Sequence, residues 1–360
     1  MPPTLREHTE GAIARALLRL PLPWIERAAG PLRTYQGATL DPQVSLAIRL
    51  QSRLARKPVH ALGVRGARLR MHADMAVFAP VPPPLDRVED ILLPGPCCDI
   101  PARVYRPRNA RRPSTGIVYL HGGGTVTGSI AAYDAPCRAL AADSKCVVVS
   151  IEYRLAPEHP FPAPVDDAVA AFREVASAAA SLGLDPARLV IAGDSAGGML
   201  SAVVALETRE DAVRPCLQVL IYPAVDLTAS FPSVETLGTG LFLEKASIEW
   251  FTQQYLRPGQ DRRDPRVSPL FSEDCSGAPP AFVLTAGFDP LRDEGEAYAE
   301  RLRRDGVTVE HRCYDRLPHG FFNLSGVIVA AREPVADLVA AARQGSTEGL
   351  ARQGRVPSRG

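Results

Sequence analysis

The run Leu189-Val190-Ile191-Ala192-Gly193-Asp194-Ser195-Ala196-Gly197-Gly198 constrains this chain more than any other stretch. Four apolar residues, two of them β-branched, read as a short buried strand. They lead straight into Gly-x-Ser-x-Gly, and from Met199 to Leu206 apolar residues return at helical spacing. A serine caught between strand and helix with no intervening loop has to occupy a sharp turn. Gly193 and Gly197, two residues to either side, remove the side chains that would hold strand and helix apart. The Ser195 hydroxyl is then lifted clear of the backbone at a helix N-terminus, where developing negative charge is favoured. Five residues with two free positions recur by chance in many proteins. The strand–turn–helix context is what makes Ser195 a candidate nucleophile.

The surrounding pattern predicts an α/β fold. Strand-like runs at Val88–Leu93, Ala102–Tyr105 and Gly116–Leu120 are followed by a helix over Tyr133–Asp143 and a strand over Cys146–Ile151. A helix over Val165–Ala180 precedes the Leu189–Ala192 strand. After the helix beyond Ser195 come strands at Leu217–Tyr222, Phe282–Ala286 and Val307–Tyr314. Such alternation implies a mostly parallel sheet with helices on both faces. The first two strands lack a helical crossover, which predicts an antiparallel start. Four segments follow from this rhythm. Residues 1–85 read as a helical cap segment, with amphipathic patterns at Ile13–Leu20 and Val44–Leu54 and a Pro-rich linker at its end. Residues 86–225 and 276–344 form the catalytic core. Residues 226–275, with Phe242, Trp250, Phe251 and Tyr255 but no strand pattern, read as a cap insertion at the C-terminal edge of the sheet. Residues 345–360, polar and glycine-bearing, read as a disordered tail.

Acyl transfer at neutral pH needs a base for the serine, an acid to orient that base, and donors for the oxyanion. His319 follows the last strand in a turn set by Pro318 and Gly320, where the imidazole can swing over the sheet edge. The other histidines compete poorly: His311 lies within a strand pattern, His159 in a Pro-rich turn, and His121 before a glycine run whose loop it shapes. Asp289, just past Gly287-Phe288 at the end of a strand, is the expected acid, with Asp293 as its rival. The order Ser, Asp, His is that of an α/β-hydrolase. Gly122, Gly123 and Gly124 leave the Gly116–Leu120 strand with no side chains to block their backbone. They are the expected oxyanion donors together with Ala196. No Lys-Ser/Thr follows the glycines, which argues against a phosphate loop.

Bulk properties narrow the partners. A formal net charge of +1 gives no electrostatic reason to expect nucleic acid. Seven cysteines with no C-x-x-C pair give neither a disulfide framework nor a metal site, and suggest a reducing compartment. The N-terminal residues show no signal-peptide pattern, and no apolar run reaches membrane-spanning length. The expectation is therefore cytoplasmic, with a small-molecule substrate, no integral membrane segment, and room for a homo-oligomer. Arg on the polar face of the N-terminal helices leaves open peripheral attachment to a lipid surface.

HGGG at 121–124, Tyr153-Arg154-Leu155-Ala156-Pro157-Glu158, GDSAGG at 193–198, DPLRDEG at 289–295 and HGFF at 319–322 together resemble the hormone-sensitive-lipase-like family of bacterial esterases. The match runs from about residue 85 to 340. It implies an α/β-hydrolase fold with a helical cap and a carboxylic-ester hydrolase that uses no cofactor. It also implies Ser195, Asp289 and His319 as triad, and the glycine run with Ala196 as oxyanion hole. Pro157 and Glu158 resemble scaffold residues, with the Glu158 carboxylate bracing nearby loops. Two departures stand out. Thr125 follows the glycine run where the family usually has an aromatic residue, which touches the shape of the pocket. Met199 stands where the family commonly has Asn, which touches the hydrogen bonding behind Ser195. An amide or carbamate hydrolase would use the same triad. A small-molecule receptor on this fold, as in the plant gibberellin receptors, lacks the catalytic His that this chain retains as His319.

Overall fold

The computed structural model describes residues 12–53 and 57–345. Residues 1–11 and 346–360, with most of the tail expected to be disordered, lie outside the described residues, as does Leu54. Ten strands are present among the described residues. β1 (Thr34–Tyr35) and β2 (Ala38–Thr39) make a small hairpin. β3 (Arg87–Leu93), β4 (Ile100–Arg106), β5 (Ser114–Leu120), β6 (Val147–Ile151), β7 (Leu184–Asp194), β8 (Leu217–Ile221), β9 (Ala281–Phe288) and β10 (Val309–Pro318) form one sheet. Its order is β10-β9-β8-β7-β5-β6-β4-β3. From β10 to β6 every neighbouring pair is parallel, whereas β4 runs antiparallel to β6 and β3 antiparallel to β4. The antiparallel start follows from the short β3–β4 connection, which leaves no room for a crossover helix.

Every residue of β5, β6, β8 and β9 is buried. Their continuous apolar runs therefore reflect coverage on both faces rather than an alternating half-buried strand. Period-two geometry then sorts the side chains. Ile117 and Tyr119 of β5 join the core that contains helices Asp134–Ser144 and Arg332–Gln344. Val118 and Leu120 join the opposite core, under helices Ala163–Ser177 and Ala196–Glu207.

β7 is longer than its apolar run suggested. Leu184 pairs with Ser114, the register then slips, and Leu189 pairs with Gly116. Asp185-Pro186-Ala187-Arg188 occupies the irregular stretch, and its polarity and proline hid the strand from a periodicity reading. β10 extends past its apolar part for a similar reason. Its register shifts between Tyr314 and Pro318, across Asp315-Arg316.

The connection from β5 leads to β6 on one side, and the chain then crosses back to β7 on the other. The carboxyl ends of β5 and β7 thus flank a topological switch point, where open α/β sheets place ligands. At that edge helices Pro42–Arg53 and Gly63–Phe78 from the N-terminal segment line the space above Ser195, and helix Leu22–Ala29 packs on helix Pro42–Arg53. Between residues 226 and 280 there is no strand, only helices Pro232–Thr236 and Lys245–Tyr255 and a short 3-10 turn at Pro269–Phe271.

Candidate active site

Sheet register assembles the site. Gly193 pairs with Leu120, Asp194 with Ile221, and Pro318 with Phe288. The residues that follow each strand, His121, Ser195, Tyr222, Asp289 and His319, consequently emerge at one level of the sheet edge.

Ser195 has φ 56° and ψ −119°, a backbone conformation costly for a residue with a side chain. The surrounding turn holds it there: its N–H donates to Ile221 O at 2.8 Å, and its carbonyl accepts from Met199 N–H and Ala224 N–H. Gly197 is required at its place, since a Cβ there would lie 2.0 Å from Leu120 O, and Gly193 similarly meets the Gly197 carbonyl. Ser195 Oγ is 3.0 Å from His319 Nε2, and His319 Nδ1 is 2.8 Å from Asp289 Oδ2. Asp289 is wholly buried, and its other oxygen accepts from Leu291 N–H at 2.9 Å. The imidazole is further fixed by Tyr222, whose ring centroid lies 4.6 Å away and which packs edge-on against Phe321. Asp293 is elsewhere. It sits in the first turn of helix Arg292–Arg304, pairs with Arg292, and accepts from Ser233 N–H at 2.9 Å. His311 meets Thr285 Oγ1 through Nε2, within the sheet, and His159 is exposed.

The oxyanion donors need one correction. Gly122 N–H is spent, because it donates to Asp194 Oδ1 at 2.8 Å and so cannot face a substrate. The N–H groups of Gly123, Gly124 and Ala196 have no acceptor among the described residues. Gly124 has φ +62° and lies flat against the ring of Phe251 from helix Lys245–Tyr255; a Cβ there would be 2.3 Å from that ring.

Asp194, quoted in its motif but given no role from sequence, is the hub beneath the site. It is buried and accepts from Tyr119 Oη at 2.8 Å, Tyr133 Oη at 2.9 Å, Tyr222 Oη at 3.4 Å and Gly122 N–H. Burial pushes its carboxyl above the ordinary range, and the donors from Tyr119, Tyr133 and Gly122 oppose that shift. One carboxylate thereby ties together the nucleophile turn, the glycine loop and the histidine's packing partner. A polar residue ending an apolar strand signals that buried donors must exist; nothing in the sequence says that they are tyrosines 28 to 75 positions away.

Both departures from the family pattern find an explanation. Met199 lies in the wall of the cavity above Ser195, and Asp194 supplies the hydrogen bonding behind the turn. Thr125 has φ 60° and is buried, with its carbonyl accepting from Ala156 N–H at 2.8 Å. The aromatic contact with the glycine loop comes instead from Phe251. Glu158 does brace loops: it pairs with Arg68, whose guanidinium also donates to the carbonyls of Val126 and Ala156. His121 is sealed in, with Nδ1 2.9 Å from Gly122 O and its ring stacked 4.4 Å from Tyr153. Burial lowers its pKa to about 4, so it is neutral and donates from Nδ1.

Above Ser195 and His319 opens a cavity of about 530 Å³. Its walls are largely apolar and come from the N-terminal helices (Met75, Phe78) and from the 226–280 segment (Leu241, Phe242, Phe251).

A sequence profile for the alpha/beta hydrolase fold matches residues 117–323. The carboxylic ester hydrolase LipN of Mycobacterium tuberculosis is 43% identical over 84% of this chain and 84% of its own length. The ethyl acetate hydrolase of Pseudomonas putida is 38% identical over 80% of this chain and 92% of its own. Among solved structures, an esterase from Pyrobaculum calidifontis superposes with a TM-score of 0.75 at 40% identity, covering 85% of this chain and 98% of that one. The chain belongs to the α/β-hydrolase superfamily, among its hormone-sensitive-lipase-like esterases.

Proposed function

We propose that this protein hydrolyses carboxylic esters of short to medium acyl chains through an acyl-enzyme on Ser195. The carrying observation is the unbroken hydrogen-bond line Ser195–His319–Asp289 beneath an apolar cavity. Nε2 of His319 takes the Ser195 proton as Oγ attacks the ester carbonyl. Asp289 holds Nδ1–H and stabilises the imidazolium. The N–H groups of Gly123, Gly124 and Ala196 receive the developing oxyanion. His319 then returns its proton to the departing alkoxide, and water repeats the sequence on the acyl-enzyme. No step calls for a cofactor.

The N-terminal helices and the 226–275 segment act as the cap. Both contribute cavity walls, and Phe251 from the latter rests on Gly124. A roofed, apolar space of this size suits a small ester better than a triglyceride at an oil interface. No helix among the described residues is long and apolar enough to cross a membrane.

The test is a hydrolysis panel from acetate to palmitate esters with anilide counterparts, run beside Ser195→Ala. We expect preference for about two to eight acyl carbons, poor anilide turnover, and a loss on the order of 10⁶ in kcat for the variant. A variant within tenfold of wild type would refute the mechanism, and faster turnover of emulsified palmitate than of soluble butyrate would refute the size limit.

A further inference from the structure

Eight large apolar side chains are exposed among the described residues, and six of them, Ile13, Leu20, Leu22, Trp24, Val81 and Val329, belong to neighbouring segments. They come from three separate parts of the chain that hydrogen bonds fasten together. Arg15 donates to the carbonyls of Ala76, Val77 and Ala79, which brings the N-terminal arm beside the segment leading to Val81. Gln43 Nε2 donates to Leu18 O and Val327 O, and its Oε1 accepts from Val329 N–H at 2.8 Å. Gly326 N–H donates to Phe78 O. Leu18 and Ile25 are buried anchors, so the exposed residues between and beside them are turned outward by a fixed backbone. Trp24 is 64% exposed and Leu22 55%.

The charges beside this face favour one occupant. Arg19, Arg27 and Arg332 are exposed, and their side chains make no hydrogen bond or ion pair among the described residues; Arg15 is held by carbonyls alone. Among the described residues of these segments, two exposed carboxylates, Glu26 and Glu333, stand against these four cations. A two-fold contact between copies would set the excess positive charge against itself. An anionic lipid surface offers the complement: aliphatic residues and a tryptophan enter the headgroup boundary while arginines meet phosphates.

We infer that this face docks the protein on anionic phospholipid membranes. Helix Pro42–Arg53 carries Gln43 at the face and Ile48, Gln51 and Ser52 on the cavity wall. Nine helical steps separate Gln43 from Ser52, about 13 Å. A docked molecule therefore holds its cavity within a helix length of the bilayer, where amphiphilic esters concentrate. That consequence rests on the ester-hydrolase reading, whereas docking itself does not.

The full chain is sedimented with vesicles of phosphatidylcholine alone and of phosphatidylcholine mixed with phosphatidylglycerol. Hydrolysis of a soluble butyrate ester reports the integrity of each variant independently of lipid. Wild type should partition at least about tenfold more strongly onto the anionic vesicles, with a blue shift of tryptophan emission. Leu22→Ser/Trp24→Ser should lower binding about tenfold or more, and Arg19→Gln/Arg27→Gln about fivefold per arginine on anionic vesicles only. Butyrate turnover should be unchanged in both. Wild-type protein left in the supernatant with anionic vesicles overturns the inference, as do variants that bind like wild type. A concentration-dependent dimer abolished by Leu22→Ser/Trp24→Ser, without lipid binding, would assign the face to a second copy.

Discussion

Replacing Asp289 with asparagine isolates what the triad acid does. The buried carboxylate accepts two hydrogen bonds, from His319 Nδ1–H and from Leu291 N–H. Asparagine has one acceptor and one donor, so it can satisfy only one of these. With its oxygen toward His319, its NH₂ faces the Leu291 N–H, and a buried backbone donor loses its partner at a cost of about 1–3 kcal/mol. With its oxygen toward Leu291, its NH₂ faces Nδ1, which must then be the acceptor. The proton moves to Nε2, and Nε2 can no longer receive the Ser195 proton. The second arrangement avoids the unpaired donor and is catalytically silent. The equivalent change in a well-studied serine protease costs about 10⁴ in kcat, about 5 kcal/mol of activation free energy. Asp289→Asn should therefore fold and lose several orders of magnitude in kcat. Asp293→Asn is the control. It weakens the bond to Ser233 N–H and the pair with Arg292, itself only 8% exposed. We expect about 1–3 kcal/mol of lost stability and kcat within tenfold of wild type. Steady-state kinetics on a soluble butyrate ester, with thermal melts of both variants, decide the matter. The opposite ranking in folded protein would refute the tautomer argument and move the acid to Asp293.

Two further outcomes follow from the site. Gly124→Ala places a Cβ against Phe251 at a positive φ, which would displace the proposed oxyanion donor; kcat should fall about 10²–10³, and a fall of less than tenfold would remove Gly124 from the oxyanion hole. His121 has a folded pKa of about 4 against an ordinary 6.5. The unfolded chain takes up that proton first as pH falls, so stability is lost between about pH 6.5 and 4, by roughly 2–4 kcal/mol. Urea unfolding of wild type and His121→Gln across this window should show the smaller pH dependence in the variant, and equal slopes would contradict the assignment.

The sequence by itself determined the nucleophile turn, the order of the triad and the α/β class, because each depends on neighbouring residues. Strand, glycine, serine, glycine and helix are consecutive, and apolar runs declare parallel strands wherever both faces are covered. Asp289 was separable from Asp293 because one ends a strand and the other opens a helix. What depends on register was hidden. That Pro318 pairs with Phe288, setting His319 beside Asp289, is decided by a β10 irregularity across polar residues that carry no periodic signal. The same holds for Asp194. Its tyrosine donors come from β5, from the start of the helix after the glycine loop, and from the end of β8, and only packing brings them to one carboxylate. That carboxylate in turn removed Gly122 from the oxyanion hole, since a backbone N–H can serve one acceptor well. Phe251 standing in for an aromatic after the glycine run is likewise a product of distant segments, as is the joining of the N-terminal arm to the segments at 76–79 and 326–329. Local chemistry is written in consecutive residues; shared burial and exposure are properties of the folded whole.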